Sequence, residues 1–374
     1  MKSKLTVRLV TDTKEFESLR DVWDRLLEKS CDKNIYLTWE WIFTWWRHYG
    51  NRKNLNILLI EDESRIVGII PLMFSRFGKS FIKFDVLKII GIANADFDGV
   101  ILTERKEECI LSFIEYLTKV IDNRTVLIFS EIPEDAEFLA LMRSHYPTFS
   151  KSLIMNESVS TTCPYILLPT TLNEYFKSLR GKRRHNLRYA LRSLQKKHAV
   201  EFRKFIANNN SGGQIEEFIE LHQKRWRKKN IKGIFHDQRT RKFYIDVANV
   251  FSKKKWLNLS FIDVDGKAIS AVYGFRYSQK FYYEITAFDT EYAKYSMGNL
   301  HIMFLIEDAI KNGDKEFDFL MGDEAYKRYY TRLSRRNFQI ILTKKRFPAN
   351  WWPRLLPIIM RLNSICRHSL LGKL

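Results

Sequence analysis

Leu55-Asn56-Ile57-Leu58-Leu59-Ile60, turning through Glu61-Asp62-Glu63-Ser64 into Arg65-Ile66-Val67-Gly68-Ile69-Ile70-Pro71-Leu72, reads as a strand, an acidic turn and a returning strand. The pattern recurs at Leu257-Asn258-Leu259-Ser260-Phe261-Ile262, through Asp263-Val264-Asp265-Gly266, into Lys267-Ala268-Ile269-Ser270-Ala271-Val272-Tyr273-Gly274. One offset places Leu55 on Leu257, Ile60 on Ile262 and Arg65 on Lys267. Working outward, each hairpin is followed by an extended stretch, a helical pattern (106–121; 298–311) and a short strand (125–130; 316–320). Each is preceded by helical patterns, 13–27 with 38–48 and 214–228 with 237–251. Strands and helices interleaved in this order give a mixed α/β fold, and meeting the order twice predicts a duplicated domain.

The duplication sets the expected organisation: a first unit over 1–160, a second over 161–346 and a tail over 347–374, with a polar, Ser- and Thr-rich connection near 150–170. At 374 residues the chain is long enough for two cores. Cys31, Cys109, Cys163 and Cys366 are far apart with no CxxC or Cys/His spacing, so neither a disulfide framework nor a metal site is expected. No signal-peptide run and no stretch of about 18 apolar residues occurs, which fits a cytoplasmic protein.

The charge of +20 is lopsided: residues 1–165 hold 22 basic against 24 acidic residues, and residues 166–374 hold 41 against 19. Such a basic half suits nucleic acid, an anionic lipid surface or a phosphorylated ligand. Its densest block, 177–204, carries Arg184 and Arg188 within apolar three- and four-residue steps, an amphipathic helical arm over 172–198 that Gly181 breaks and Thr171 or Asn173 caps. Trp351, Trp352 and the aliphatic and basic residues after them read either as a flat interfacial anchor at the inner face of the membrane or as a docked terminal helix. Nucleic-acid motifs, GxSxG, HExxH and phosphate-loop patterns are absent from the sequence.

Several strings in the second half carry a resemblance: Leu179-Arg180-Gly181-Lys182-Arg183-Arg184 with Asn186-Leu187-Arg188; Asp265-Gly266-Lys267; Ala287-Phe288-Asp289; Ser296-Met297-Gly298-Asn299-Leu300; and Phe317-Asp318-Phe319-Leu320-Met321-Gly322-Asp323-Glu324-Ala325-Tyr326-Lys327. The element order resembles the Gcn5-related N-acetyltransferase (GNAT) fold. The wording resembles the acetyltransferase family named for a cellulose-biosynthesis protein (CelD/BcsL-like), itself similar to Fem-type peptidyltransferases with two tandem GNAT-like units. The resemblance implies an acyl-CoA donor such as acetyl-CoA, no metal, and the amine of a sugar or other small molecule as acceptor, in polysaccharide or cell-envelope biosynthesis. It also implies a first unit without catalytic function. The Fem-type relatives leave aminoacyl-tRNA open as donor, and a non-catalytic basic scaffold is a further alternative.

The residues themselves offer a place for such chemistry. Phe281 to Phe288 is β-branched and aromatic, hence a strand, and Gly298 opens the next helix, whose free amides and dipole suit a pyrophosphate. With the resemblance, Ala287, Phe288, Lys294, Ser296, Met297, Gly298 and Asn299 become the expected coenzyme contacts, although this loop is poorer in glycine than the common GNAT loop. Transfer to an amine needs a proton acceptor and a donor for the leaving thiolate. Alternation along 317–320 sets Asp318 opposite Phe317 and Phe319 in a buried strand, making it the first candidate base, with Glu324 and Glu284 next. Tyr326 is the candidate acid. Asp323, Lys327, Arg184 and Arg188 are expected to hold the acceptor.

Overall fold

The computed structural model describes residues 3–77, 84–92, 94–205 and 211–345. They divide into two compact units, one running to Thr162 and completed by the strand from Arg335 onward, the other spanning Cys163–Ser334. The tail 347–374 lies outside the described residues.

In the first unit the chain runs β1 (Thr6–Val10), α1 (Thr13–Ser18), α2 (Arg20–Lys29), α3 (Trp39–Tyr49), β2 (Asn54–Asp62), β3 (Arg65–Phe77), β4 (Phe84–Ile89), β5 (Ile101–Leu102), α4 (Lys106–Val120), β6 (Thr125–Pro133), α5 (Glu137–Phe149) and the start of β7 (Leu153–Leu167). The second unit continues with α6 (Leu172–Ser178), α7 (Gly181–Gln195), β8 (Val200–Lys204), α8 (Ser211–Lys228), α9 (Gln238–Lys253), β9 (Leu257–Val264), β10 (Lys267–Tyr277), β11 (Lys280–Phe288), α10 (Met297–Lys311) and β12 (Glu316–Asp318). The last strand, β13 (Ser334–Lys344), pairs antiparallel with β6.

Each unit repeats one plan. In the first, β1-β2-β3-β4-β6 lie side by side with β4 and β6 parallel; in the second, β8-β9-β10-β11-β12 do, with β11 and β12 parallel. The two hairpins close on equivalent pairs, Asp62 with Arg65 and Val264 with Lys267, at the offset the sequence gives. Near-continuous apolar runs such as Leu55–Ile60 are buried throughout, as central strands covered on both faces require. Helix α4 covers its sheet with Cys109, Ile110, Phe113, Ile114 and Leu117, and α10 covers the second with Leu300, Met303, Ile306 and others at helical spacing.

Local signals set most boundaries. Thr38, Thr171 and Asp237 cap α3, α6 and α9 by accepting backbone N–H groups. The arm breaks between Ser178 and Gly181 into α6 and α7. Two expectations change. The Ser- and Thr-rich connection is the strand β7, where β-branched residues suit an extended chain. The strand β13, which the boundary at 346 gave to the second unit, brings Phe338, Ile340 and Leu342 into the first unit's core. No local pattern reveals a ladder partner about 200 residues earlier.

The first unit also buries two carboxyls with few compensating charges. Asp98 accepts the Ser130 and Glu131 amides, at 2.7 and 3.3 Å, and Glu131 accepts Ser160, Thr161 and Asn337. Burial pushes Asp98 up to about 6 and Glu131 up to about 7. In the unfolded chain both titrate near pH 4, so between roughly pH 4 and 7 the folded unit holds protons the unfolded chain has lost. Stability is therefore greater at the acid end of that window and falls as pH rises through it. Denaturant titrations read by tryptophan fluorescence should show the first unit more stable at pH 5 than at pH 8 by roughly 1–3 kcal/mol, with Glu131→Gln flattening the dependence. A slope of the opposite sign would refute the assignment.

Candidate active site

In the second unit β11 and β12 pair only from Lys280–Tyr282 against Glu316–Asp318. Leu320 then takes a left-handed conformation (φ 60°), while the Phe319 amide continues the antiparallel ladder with β7 by donating to Pro164. The two parallel strands therefore separate, and a cavity of about 440 Å³ opens beside them. Tyr283, Thr286 and Phe288 of β11 form one wall, the start of α10 with Ser296, Met297, Gly298, Asn299 and Ile302 a second, and Arg225, Glu324 and Tyr326 close it.

The start of α10 is open. Ser296 sits in the left-handed region (φ 54°) and gives no side-chain cap. Its carbonyl takes the Asn299 and Leu300 amides at 2.8 and 3.1 Å, which leaves the Met297 and Gly298 N–H groups without a partner among the described residues. The first turn holds no acid, so its dipole and donors are available to an anion. A side chain at Gly298 would begin 3.8 Å from the Phe288 ring, so the glycine leaves the helix mouth clear without being needed for packing. The equivalent helix of the first unit differs: α4 begins with Glu107 and Glu108, and Arg105 at its cap is ion-paired to Asp62 (2.8 Å) and Glu108. That terminus is already neutralised from within.

The closing residues bring a phenol, a carboxylate and a guanidinium to the cavity. The Tyr326 hydroxyl is buried with no hydrogen-bond partner. Burial, reinforced by Tyr283 and Glu324, holds its pKa well above the ordinary phenol value, so it keeps its proton. Burial also pushes Tyr283 up to about 12. Glu324 is the one carboxylate among the lining residues and pairs with the Lys327 ammonium at 2.9 Å. Arg225 donates to the Thr286 carbonyl at 3.2 Å, lies 4.1 Å over the Phe288 ring and leaves its buried Nε without a partner; burial lowers its pKa.

The cavity thus brings together Phe288, Ser296, Met297, Gly298, Asn299, Glu324 and Tyr326 of the expected residues. The others lie elsewhere. Asp318 is fully buried as its alternation implies, but its Oδ1 accepts the Leu320 amide at 2.8 Å and the side chain does not line the cavity. The Glu284 carboxylate accepts the Tyr244 hydroxyl of α9. Lys327, expected to reach an acceptor, donates instead to the Leu320, Met321 and Gly322 carbonyls. Asp323 pairs with Arg328, Arg184 donates to the Phe176 carbonyl, and Arg188 lies over the Phe176 ring. Ala287 is buried in β11 and the Lys294 ammonium sits over Tyr295. The Asn299 amide, being bonded to Ser296, is not free as expected.

Arg225, Tyr283 and Thr286 stand out less in the sequence. Arg225 does carry a signal there: it follows Phe218 and Leu221 on the apolar face of α8, an unusual position for a charge without a task. Among the described residues, no cluster of His, Cys, Asp or Glu is placed to hold a metal ion, and no helix is long and apolar enough to cross a membrane.

Comparison with known proteins agrees with this architecture. Residues 181–328 match the family model described as an acetyltransferase (GNAT) domain. Among solved structures the chain is similar to FemX (TM-score 0.60, 9% identity, covering 86% of this chain and 95% of that one). It is also similar to L-PGS from Bacillus licheniformis (0.53, 11%, 97% and 98%). A third likeness is to the C-terminal domain of a putative lysylphosphatidylglycerol synthetase from Agrobacterium fabrum (0.53, 11%, 88% and 92%). At these identities the likeness shows the fold alone. No curated protein matches the chain in sequence.

Proposed function

We propose that the second unit is an acyl-CoA-dependent N-acyltransferase, taking acetyl-CoA or a related thioester as donor and the amine of a sugar, sugar nucleotide or other small molecule as acceptor. The observation that carries this reading is a buried, unpartnered Tyr326 hydroxyl in a cavity that also holds an uncapped helix start. Acyl-CoA supplies an activated carbonyl and a sulfur leaving group. The amides of Met297 and Gly298 bind its pyrophosphate, and Phe288 and Ile302 shield the pantetheine side from water. Glu324 accepts the proton that the amine gives up as its nitrogen bonds the carbonyl carbon, and Tyr326 gives its phenolic proton to the sulfur as the carbon–sulfur bond breaks. Arg225 is positioned by Phe288 to face a negative group of the bound donor or acceptor. Polysaccharide or envelope biosynthesis, on the cytoplasmic side of the membrane, is the setting that the CelD/BcsL-like resemblance suggests.

Calorimetry with acetyl-CoA tests the donor. Saturable micromolar binding is expected, weakened at least tenfold in Gly298→Val, because a branched side chain at the helix mouth keeps phosphate oxygens away from the amides while the free protein accommodates it. Unchanged affinity in that variant would move the donor out of this cavity. The basic arm of α6 and α7 supports a second reading in which aminoacyl-tRNA is the donor; tight binding of charged tRNA with none of acetyl-CoA would establish it over the first.

A further inference from the structure

A second, larger cavity of the C-terminal unit, about 540 Å³, is bounded by the end of β7, by α6 and the start of α7, and by residues 328–333. Four guanidinium groups line it, Arg180, Arg183, Arg328 and Arg332, against one carboxylate, Glu174, which itself accepts the Thr170 hydroxyl. Arg328 is held by Asp323. Arg180 and Arg332 form no ion pair among the described residues. Arg183 is fixed in place: its guanidinium lies 4.9 Å over Tyr329 and 4.6 Å over Tyr330, and one nitrogen donates to the Asn299 Oδ1 at 2.9 Å.

A surface cluster of arginines is ordinarily no more than a solvated basic patch. Here the groups surround a concavity, and the wall holds unused donors. Tyr175 is 3% exposed and its hydroxyl has no hydrogen-bond partner, and the buried Nε of Arg183 has none either. Such groups cost free energy in the empty protein that a bound acceptor oxygen would offset. Fixed guanidinium forks match phosphate oxygens two at a time.

We infer that this pocket is a binding site for a phosphate ester or diphosphate, distinct from the donor cavity. The Asn299 side chain forms the partition: it lines the donor cavity, and its Oδ1 also accepts the Tyr330 hydroxyl at 2.8 Å, while Arg183 and Tyr330 line the arginine pocket. A phosphate seated here thus bears on the wall of the donor cavity, whether it belongs to the donor's nucleotide or to a phosphorylated acceptor. The inference concerns binding alone and stands or falls independently of acyl transfer.

Titration of the full chain with inorganic pyrophosphate in low salt tests it. Besides any binding at the α10 mouth, which Gly298→Val removes, one saturable site is expected, weakened at least tenfold in the Arg180→Ala/Arg332→Ala double variant, whose side chains are both exposed. The remote pair Lys196→Ala/Lys197→Ala and the helix-mouth variant Gly298→Val should leave it unchanged. Equal binding by the arginine variant, equal weakening by the lysine pair, loss in Gly298→Val, or no saturation of the wild type would each overturn the site. Repeating the titration with acetyl-CoA present separates the sources: competition assigns the pocket to a phosphate of the donor, and an unchanged isotherm assigns it to the acceptor.

Discussion

Tyr326→Phe should lower kcat by about 100-fold, the usual scale for a positioned proton donor, while leaving acetyl-CoA affinity and the thermal midpoint nearly unchanged. The reasoning rests on what the hydroxyl lacks. Removing a hydrogen-bonded buried hydroxyl normally destabilises the fold, but the Tyr326 oxygen has no partner in the free protein, so its deletion breaks nothing there. The loss falls on the reaction alone. Because burial holds the phenol pKa well above its ordinary value, the wild-type rate should show no alkaline limb from this group below pH 10. Stopped assays with a chromogenic thiol reagent give the rate, and thermal melts give the midpoint. Near-normal turnover in the phenylalanine variant would remove the tyrosine from the reaction.

Lys327→Met should be costly in a different way, destabilising the second unit by about 3–5 kcal/mol. The ammonium is almost wholly buried, donates to three successive carbonyls of 320–322 and pairs with Glu324. Methionine fills the volume but leaves those carbonyls and the carboxylate without their cation. Leu320 and Gly322 both hold positive φ, 60° and 104°, so this is the stretch where the backbone depends most on the lysine. Chemical denaturation should show the drop directly. A raised KM for the acceptor with unaltered stability would restore Lys327 to the substrate-holding role its sequence context suggests.

The sequence reveals much of the fold and part of the site, and the division has a physical basis. Hairpins, caps and amphipathic helices are local, so Thr38, Thr171 and Asp237 mark their helices correctly. The open mouth of α10 is also local and was legible as Ser296–Asn299. Alternation correctly buries Asp318, yet it is silent on whether a buried carboxylate faces a cavity or a backbone amide; the left-handed turn at Leu320 decides for the amide. Lys327 looks like one more cation in a basic run, because nothing nearby in sequence says that the loop before it folds back over its ammonium. Arg225 is the converse case, hidden within Lys224–Lys229 although its helical position sets it on the apolar side.

The return of β13 to the first unit has a consequence for how the protein is made. The edge of β6 receives its ladder partner only when residues near 340 have been synthesised, after the whole second unit. At roughly 5–20 residues per second this leaves the nascent first unit one strand short for about 10–40 seconds. An apolar strand such as Val126–Phe129, with unpaired amides and carbonyls along one side, is a template for pairing with other chains during that interval. The order of synthesis thus makes completion of the first unit wait on the whole of the second.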